Sequence, residues 1–269
     1  MRPRKTLIIS AFPKSWNKFT LVLKIVKSLL SLLYKIWVGL VFTVFMIILL
    51  PGIVLPFLVG QRFGSVGYAF LWLWSWIFSK LTFIRYEFYG KENFRKDQAY
   101  IYVSNHTSFL DIPGLTMLLP GQFRPLAKKE LLKIPIFGWI AHSAAIIVDR
   151  SSPESRKKSI DRLKTFLHDG ISILIFAEGT QNRSKKILQP FKDGAFRIAV
   201  DTQQPVLPIV VLGAGPLMPP GTIDLRPGLI RIFVGCEIPT GGLGLNDVRD
   251  LKQRTYDAMA EMIDVNREA

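Results

Sequence analysis

Residues 36 to 60 contain no charged side chain, and after Gln61 and Arg62 neither do residues 63 to 79. Two such runs back to back must be buried in a core or in a bilayer. At 1.5 Å per residue the first is long enough to cross about 30 Å of hydrocarbon, and the second is marginal. Pro51 and Pro56 interrupt the first run, so its helix is expected to stop near Leu50. That favours a bent hairpin, dipping into or across the bilayer, over one clean span. Trp37, Trp72, Trp74 and Trp76 suit an interfacial belt. The alternative is a buried helical pair in a soluble core. Upstream, Lys24, Lys27, Ser28, Ser31 and Lys35 recur at helical spacing among apolar residues, the pattern of an amphipathic helix on an anionic surface. The long apolar run comes only after a repeatedly basic stretch, so no cleavable signal peptide is expected.

Charge follows the same division. Of the 269 residues, 35 are Lys or Arg and 20 are Asp or Glu, a net charge of +15. Residues 1 to 86 hold eleven of the basic side chains and no acid, leaving 24 basic against 20 acidic residues for the rest. A nucleic-acid binder carries its basic stripe on a polar folded surface, whereas these cations punctuate apolar runs, so no nucleic acid partner is expected. A single cysteine, Cys236, excludes an intramolecular disulfide framework, and it falls in a strand-like run that reads as core. His106, His142 and His168 are too scattered for a histidine-rich zinc motif, so no metal is expected. Residues 1–86 read as a basic, hydrophobic membrane-anchoring region and 87–269 as a separate domain.

In that second part, short β-rich runs alternate with helical stretches. Candidate strands are Tyr100 to Ser104, Phe123 to Ala127, Ala144 to Val148, Ile171 to Ala177, Val206 to Leu212 and Leu229 to Cys236. Candidate helices include Pro153 to His168, Asp193 to Asp201 and Asn246 to Asn266. The alternation predicts an α/β fold, a mixed, mainly parallel sheet flanked by helices.

Two blocks could carry chemistry. The first, Ser104-Asn105-His106-Thr107-Ser108-Phe109-Leu110-Asp111, directly follows a strand. Imidazole takes and returns a proton near neutrality, and a carboxylate can fix its tautomer. On one continuous helix, residues five apart diverge by about 140°, so His106 meets Asp111 only from a turn before the helix begins. A purely structural alternative is a capping box from Ser108 to Asp111, or Asp111 as the cap of a helix with Pro113 in its first turn. A nucleophilic scheme through Ser104 or Ser108 is a further alternative on paper. The second block, Glu178-Gly179-Thr180-Gln181-Asn182-Arg183-Ser184, closes an apolar strand. A glycine that frees the backbone, with hydroxyl and guanidinium donors at a strand's C-terminal edge, suits phosphate; the alternative is an ordinary polar turn.

Together the blocks resemble the glycerolipid acyltransferase family, which includes the 1-acylglycerol-3-phosphate acyltransferases of phospholipid biosynthesis. Asn105, His106 and Asp111 look like the family's Asn-His, four residues, then Asp; Glu178, Gly179 and Thr180 look like its Glu-Gly-Thr. Lys128-Lys129-Glu130-Leu131, Ile147-Val148-Asp149-Arg150, Pro190-Phe191-Lys192-Asp193-Gly194-Ala195 and Val206-Leu207-Pro208-Ile209 resemble its other blocks, in order, over about residues 85 to 215. The chain departs from the family at Ala177, where proline is usual, within Ala144-Ala145-Ile146, where a glycine is, and at Gln181, where arginine is, leaving Arg183 as the nearer cation.

The resemblance implies a fatty acyl transfer from acyl-CoA or acyl carrier protein, as co-substrate, to a lysophospholipid hydroxyl, foremost on 1-acylglycerol-3-phosphate, giving phosphatidic acid. It implies His106 as general base oriented by Asp111. Glu178, Gly179, Thr180, Arg183, Arg150, Lys128 and Lys129 would hold substrate, with no cofactor or metal. The rivals are transfer to another lysolipid, a membrane-bound thioesterase and a non-catalytic scaffold. The expected setting is the cytoplasmic membrane, with the catalytic domain on the cytoplasmic face.

Overall fold

A computed structural model describes residues 14–148, 153–184 and 186–267. Helix α1 (Lys14–Val59) turns through Gln61–Phe63 into α2 (Gly64–Thr82) and directly into strand β1 (Ile84–Tyr89). Then come β2 (Ile101–Ser104), α3 (Asp111–Leu118), β3 (Phe123–Lys128), α4 (Phe137–Ala144), β4 (Ile146–Val148), α5 (Pro153–His168) and β5 (Ser172–Phe176). The chain closes with α6 (Gly194–Thr202), β6 (Val206–Leu212), the single turn α7 (Ala214–Leu217), β7 (Gly228–Val234) and α8 (Val248–Asn266). The seven strands lie in the order β1-β7-β6-β2-β5-β3-β4, parallel throughout except for the antiparallel pair β6 and β7. This is the mixed, mainly parallel sheet that the alternation predicts.

The hairpin forms, but its first arm is not broken. The stop expected near Leu50 does not occur, and the expected amphipathic helix and first apolar run are one continuous helix through Pro51 and Pro56. Each proline removes one helical hydrogen bond. Packing against α2 offsets that loss: Ile53 and Phe57 are buried, and Gly52 lies so close to α2 that a Cβ there would come within 2.5 Å of the Phe70 ring. Tyr34 Oη donates to Thr82 O at 2.7 Å and Trp37 Nε1 to Leu81 O at 2.8 Å, fixing how the two arms align. Of the four expected belt tryptophans, Trp74 is buried and the other three are exposed. Residues 20 to 30 are exposed on every side.

Gly67 makes the helix contact possible from the other side, since a Cβ there would sit 2.5 Å from Phe57 and 2.7 Å from the carbonyl oxygen of Ile53. Gly39, also on α1, has nothing within 4 Å of its Cβ position. Gly67→Ala should therefore lower the unfolding midpoint in detergent, by about 1–3 kcal/mol of overpacking. Gly39→Ala should raise it by up to about 1 kcal/mol through helix propensity. Equal responses at the two positions would show that close approach is not what Gly67 provides.

The boundary expected between residues 86 and 87 falls inside β1. The charge pattern puts it at the first acid, Glu87, yet strand pairing ignores that signal: Ile84 through Tyr89 pair in register with Gly228 through Phe233. The hairpin also shares a core with the sheet. One face packs Ile53, Trp74 and Phe78 against Tyr102, Ile209 and Ile232. The opposite face packs Ile101, Ile173 and Val210 against Phe196 of α6 and Leu251 and Met259 of α8. Successive residues of one strand thus feed opposite cores, as the two-residue period requires.

Candidate active site

In the sheet Ser104 pairs with Phe176, so the segments leaving β2 and β5 emerge side by side at the C-terminal edge. Two residues past those ends stand His106 and Glu178. Helix α3 starts at Asp111, which leaves His106 in the preceding loop, where the pair can meet. His106 Nδ1 lies 2.8 Å from Asp111 Oδ2, and the same oxygen accepts from the backbone N–H groups of Thr107 at 2.8 Å and Ser108 at 2.9 Å. An ionised carboxylate can only accept, so Nδ1 carries the proton and Nε2 is the nitrogen left for a substrate. The Asp111 side chain is 0% exposed against 17% for His106. The imidazole lies flat on Phe176, 4.0 Å between ring centroids.

The capping-box pattern from Ser108 to Asp111 is present as well: Ser108 Oγ accepts from Leu110 N at 3.2 Å and Asp111 Oδ2 from Ser108 N at 2.9 Å, in the turn just before α3. The same Asp111 oxygen also holds the His106 ring, so the capping and the pairing coexist. The two serines are engaged elsewhere: Ser104 Oγ donates to Asn105 O and Ser108 Oγ to Met218 O. Both are fully buried.

Glu178 corrects an expectation. Its side chain does not line the cavity that His106 opens onto; it is buried, with Oε1 accepting from His106 N at 3.0 Å and Oε2 from Gln189 N at 2.8 Å. With both oxygens occupied by backbone donors, it clamps the His106 loop rather than contacting a headgroup. Burial pushes this carboxyl up from its ordinary value, with the Gln189 and His106 N–H groups pulling the other way. The native state thus holds the proton to higher pH than the unfolded chain. Its stabilising contribution is present below the unfolded value and lost as pH rises through the folded one.

Asn182 and Asn105 complete the support, in roles the residue pattern did not separate from their neighbours. Asn182 N donates to His106 O at 2.6 Å. The Asn105 amide exchanges two hydrogen bonds with the Val211 backbone, at 2.9 and 2.8 Å, tying the loop to β6.

A cavity of about 790 Å³ opens beside His106. It follows β3 from Phe123 to Lys128 and reaches the hairpin at Met46, Tyr68 and Trp74. Its deep walls are apolar. Ser75 and Tyr68 of α2 and Thr116 of α3 line it too, while His106, Thr180, Gln181, Arg183, Gln189 and Lys128 gather where the strands end. Of the expected substrate-binding residues, Gly179, Thr180, Arg183 and Lys128 line this space and Lys129 does not. Arg150 lies outside the described residues. Gly179 has φ +76°, a conformation that glycine adopts without strain at the bend where the chain leaves β5. Gln189 was not foreseen; its only signal is its place in the polar stretch after the Glu-Gly-Thr block. Cys236 is exposed, not core, because β7 ends at Val234 and the chain has left the sheet.

The sequence model of the family described as Acyltransferase matches residues 85–212, a span that contains His106, Asp111, Glu178 and Arg183. Human 1-acyl-sn-glycerol-3-phosphate acyltransferase alpha is 34% identical over 180 residues, 65% of this chain and 62% of the relative. The chain spans about half to two-thirds of the length of the first curated relatives it matches, 47% to 66%. The fold is shared with the crystal structure of the 1-acyl-sn-glycerophosphate acyltransferase PlsC from Thermotoga maritima, with a TM-score of 0.77 and 21% identity over 90% of this chain and 98% of that one. A putative 1-acyl-sn-glycerol-3-phosphate acyltransferase of Caenorhabditis elegans is 30% identical over 203 residues, 74% of this chain and 70% of its own length. On that coverage and on the family match across the site, the chain belongs to the acyltransferase family.

Proposed function

We propose that the chain transfers a fatty acyl group from a thioester donor, acyl-CoA or acyl carrier protein, to the free hydroxyl of a lysophospholipid, foremost 1-acylglycerol-3-phosphate, giving phosphatidic acid. The observation that carries this reading is the His106–Asp111 pair at the polar end of a long apolar cavity. His106 Nε2 takes the proton of the acceptor hydroxyl as its oxygen attacks the thioester carbonyl. The carbon–sulfur bond then breaks, and the proton passes from His106 to the departing sulfur. Asp111 holds the ring and stabilises its charged form. The apolar walls along β3 suit a fatty chain, and the presence of Arg183, Lys128 and Thr180 among the lining residues supports a phosphate-bearing acceptor. Mass spectrometry of products from purified protein, given a panel of lysolipids and both donors, tests the reading. Free fatty acid formed at the same rate without lysolipid would replace it with a thioesterase.

With Gln181 in the block, Arg183 is the cavity's only guanidinium among the described residues. Arg183→Ala should raise the acceptor KM about tenfold or more, the loss of one charge-assisted hydrogen bond, and move the donor KM less. Equal changes in both would remove Arg183 from the acceptor site.

The setting proposed is the cytoplasmic membrane. Among the described residues one helix is long and apolar enough to cross a membrane, and its outward face is largely exposed. Eight basic residues and no acid precede Ile36, which places that end inside by the positive-inside rule. The hairpin returns the chain to the same side, so the catalytic domain faces the cytoplasm. In sealed right-side-out vesicles, Cys236→Ser protein carrying Ser184→Cys should resist an impermeant thiol reagent until the membrane is opened. Labelling from outside would refute the shared face.

A further inference from the structure

A second cavity, of about 430 Å³, lies behind the segment that carries His106. Thr107, Arg183, Ser184 and Lys186 line one side of it, and Arg267, following α8, lines another. Among the described residues that line it are three cations, Arg183, Lys186 and Arg267, and no Asp or Glu. Its remaining walls include Pro216, Pro220, Ile187 and Ile263. Gly213, at the β6–α7 turn, and Gly215, in α7, also line it.

Asn182 holds both Ser184 and the Lys186 backbone. Asn182 is buried; its Oδ1 accepts from Ser184 N at 2.9 Å and from Ser184 Oγ at 2.7 Å, and its Nδ2 donates to Lys186 O at 3.1 Å. The same residue holds His106 O through its backbone N–H. Arg183 packs over Gly221, φ +75°, where a Cβ would come within 2.7 Å of the guanidinium. The cation cluster is thus tied, through one asparagine, to the backbone of the proposed base.

Converging cations and hydroxyls without a carboxylate suit a phosphate. The proposed reaction offers two, and covalent reach separates them. In 1-acylglycerol-3-phosphate only a few bonds separate the reacting hydroxyl from the phosphate, so that phosphate must stay in the cavity of His106, beside Lys128 and Arg183. In the donor a long diamide arm separates the thioester sulfur from its phosphate, so that phosphate must fall outside it.

Building on the acyl-transfer reading, we propose that the second cavity holds the phosphate of the phosphopantetheine arm that carries the acyl thioester, with Lys186 and Arg267 as its partners. Coenzyme A and acyl carrier protein share that arm, so the site accepts either.

The test compares kcat/KM for palmitoyl-phosphopantetheine and palmitoyl-pantetheine. The full-length wild-type protein should prefer the phosphorylated donor by about tenfold or more, the worth of one charge-assisted hydrogen bond. In the Lys186→Ala/Arg267→Ala double variant the ratio should fall towards one, with the acceptor KM where it was. The Lys186→Arg/Arg267→Lys variant should restore the preference, which separates lost charge from a damaged fold. Palmitoyl-CoA and palmitoyl-acyl carrier protein should both lose kcat/KM in the alanine variant, and loss confined to one of them would overturn the shared-arm assignment. An unchanged ratio, or a rise in the acceptor KM instead, would overturn the site. Calorimetric binding of phosphopantetheine and pantetheine needs no turnover. A wild type that transfers no acyl group yet binds the phosphorylated arm more tightly would sink the acyl-transfer reading and leave the site standing; equal binding of the two arms would sink the site.

Discussion

His106→Ala should lose about two to four decades of kcat, the usual contribution of general acid–base catalysis, while the protein stays folded. The structure explains why rate and fold separate here. What holds the loop is the backbone of residue 106, whose N–H donates to Glu178 and whose carbonyl accepts from Asn182, and neither bond depends on the ring. The ring contributes its stacking on Phe176, worth about 0.5–1.5 kcal/mol, and its hydrogen bond to Asp111, worth about 1.5–3 kcal/mol, while Asp111 keeps its Thr107 and Ser108 N–H donors, so the unfolding midpoint should drop with the fold retained. Acyl transfer and thermal unfolding measured on the same preparation decide the matter. Near-normal turnover by folded variant would remove His106 from the chemistry.

At Asp111 two substitutions should part company. Asp111→Ala strips the shared acceptor from the His106 ring and from the Thr107 and Ser108 N–H groups, in a position with no solvent exposure. Each buried donor left unpaired costs about 1–3 kcal/mol, so this variant should be both inactive and several kcal/mol less stable. Asp111→Asn can keep a carbonyl oxygen on all three donors and turn its amide towards Thr107 Oγ1, which lies 3.5 Å from Oδ1. It should retain most of the stability and still lose about two decades or more of kcat, because the negative charge that stabilises the imidazolium is gone. Equal activity of Asp111→Asn and wild type would reduce Asp111 to a structural anchor.

Much of the site was legible because its signals are local. The interval from His106 to Asp111, at 3.6 residues per turn, already required the histidine to precede the helix, and α3 begins at Asp111. Strands β2 to β7 were legible as short β-rich runs, whereas β1 was not among them, and Pro153 to His168 matches α5 at both ends. What misled was also local. Pro51 and Pro56 argued for a broken helix because the residues that offset their cost, Phe70 and Gly67, lie on another helix. Glu87, the first acid, suggested a boundary in the middle of β1, whose partner strand lies more than a hundred residues away. Cys236 read as core because an apolar run does not show where pairing stops.

By itself the sequence determined the alternation that makes a mainly parallel sheet, the apolar hairpin, and the presence of a histidine and an aspartate spaced to meet across a turn. Those follow from periods of two and 3.6 residues and from the hydrophobicity of contiguous stretches. Only the tertiary structure decided what the groups do to one another. The register of Ser104 on Phe176 turns Glu178 from a headgroup ligand into a clamp on the His106 backbone. The fold also brings the hairpin's Gln61 to the buried Arg124 at 2.7 Å, and Arg267 into one cavity with Thr107. Such pairings depend on which N–H group or side chain fills a given space once distant segments are packed, and no local spacing encodes that choice.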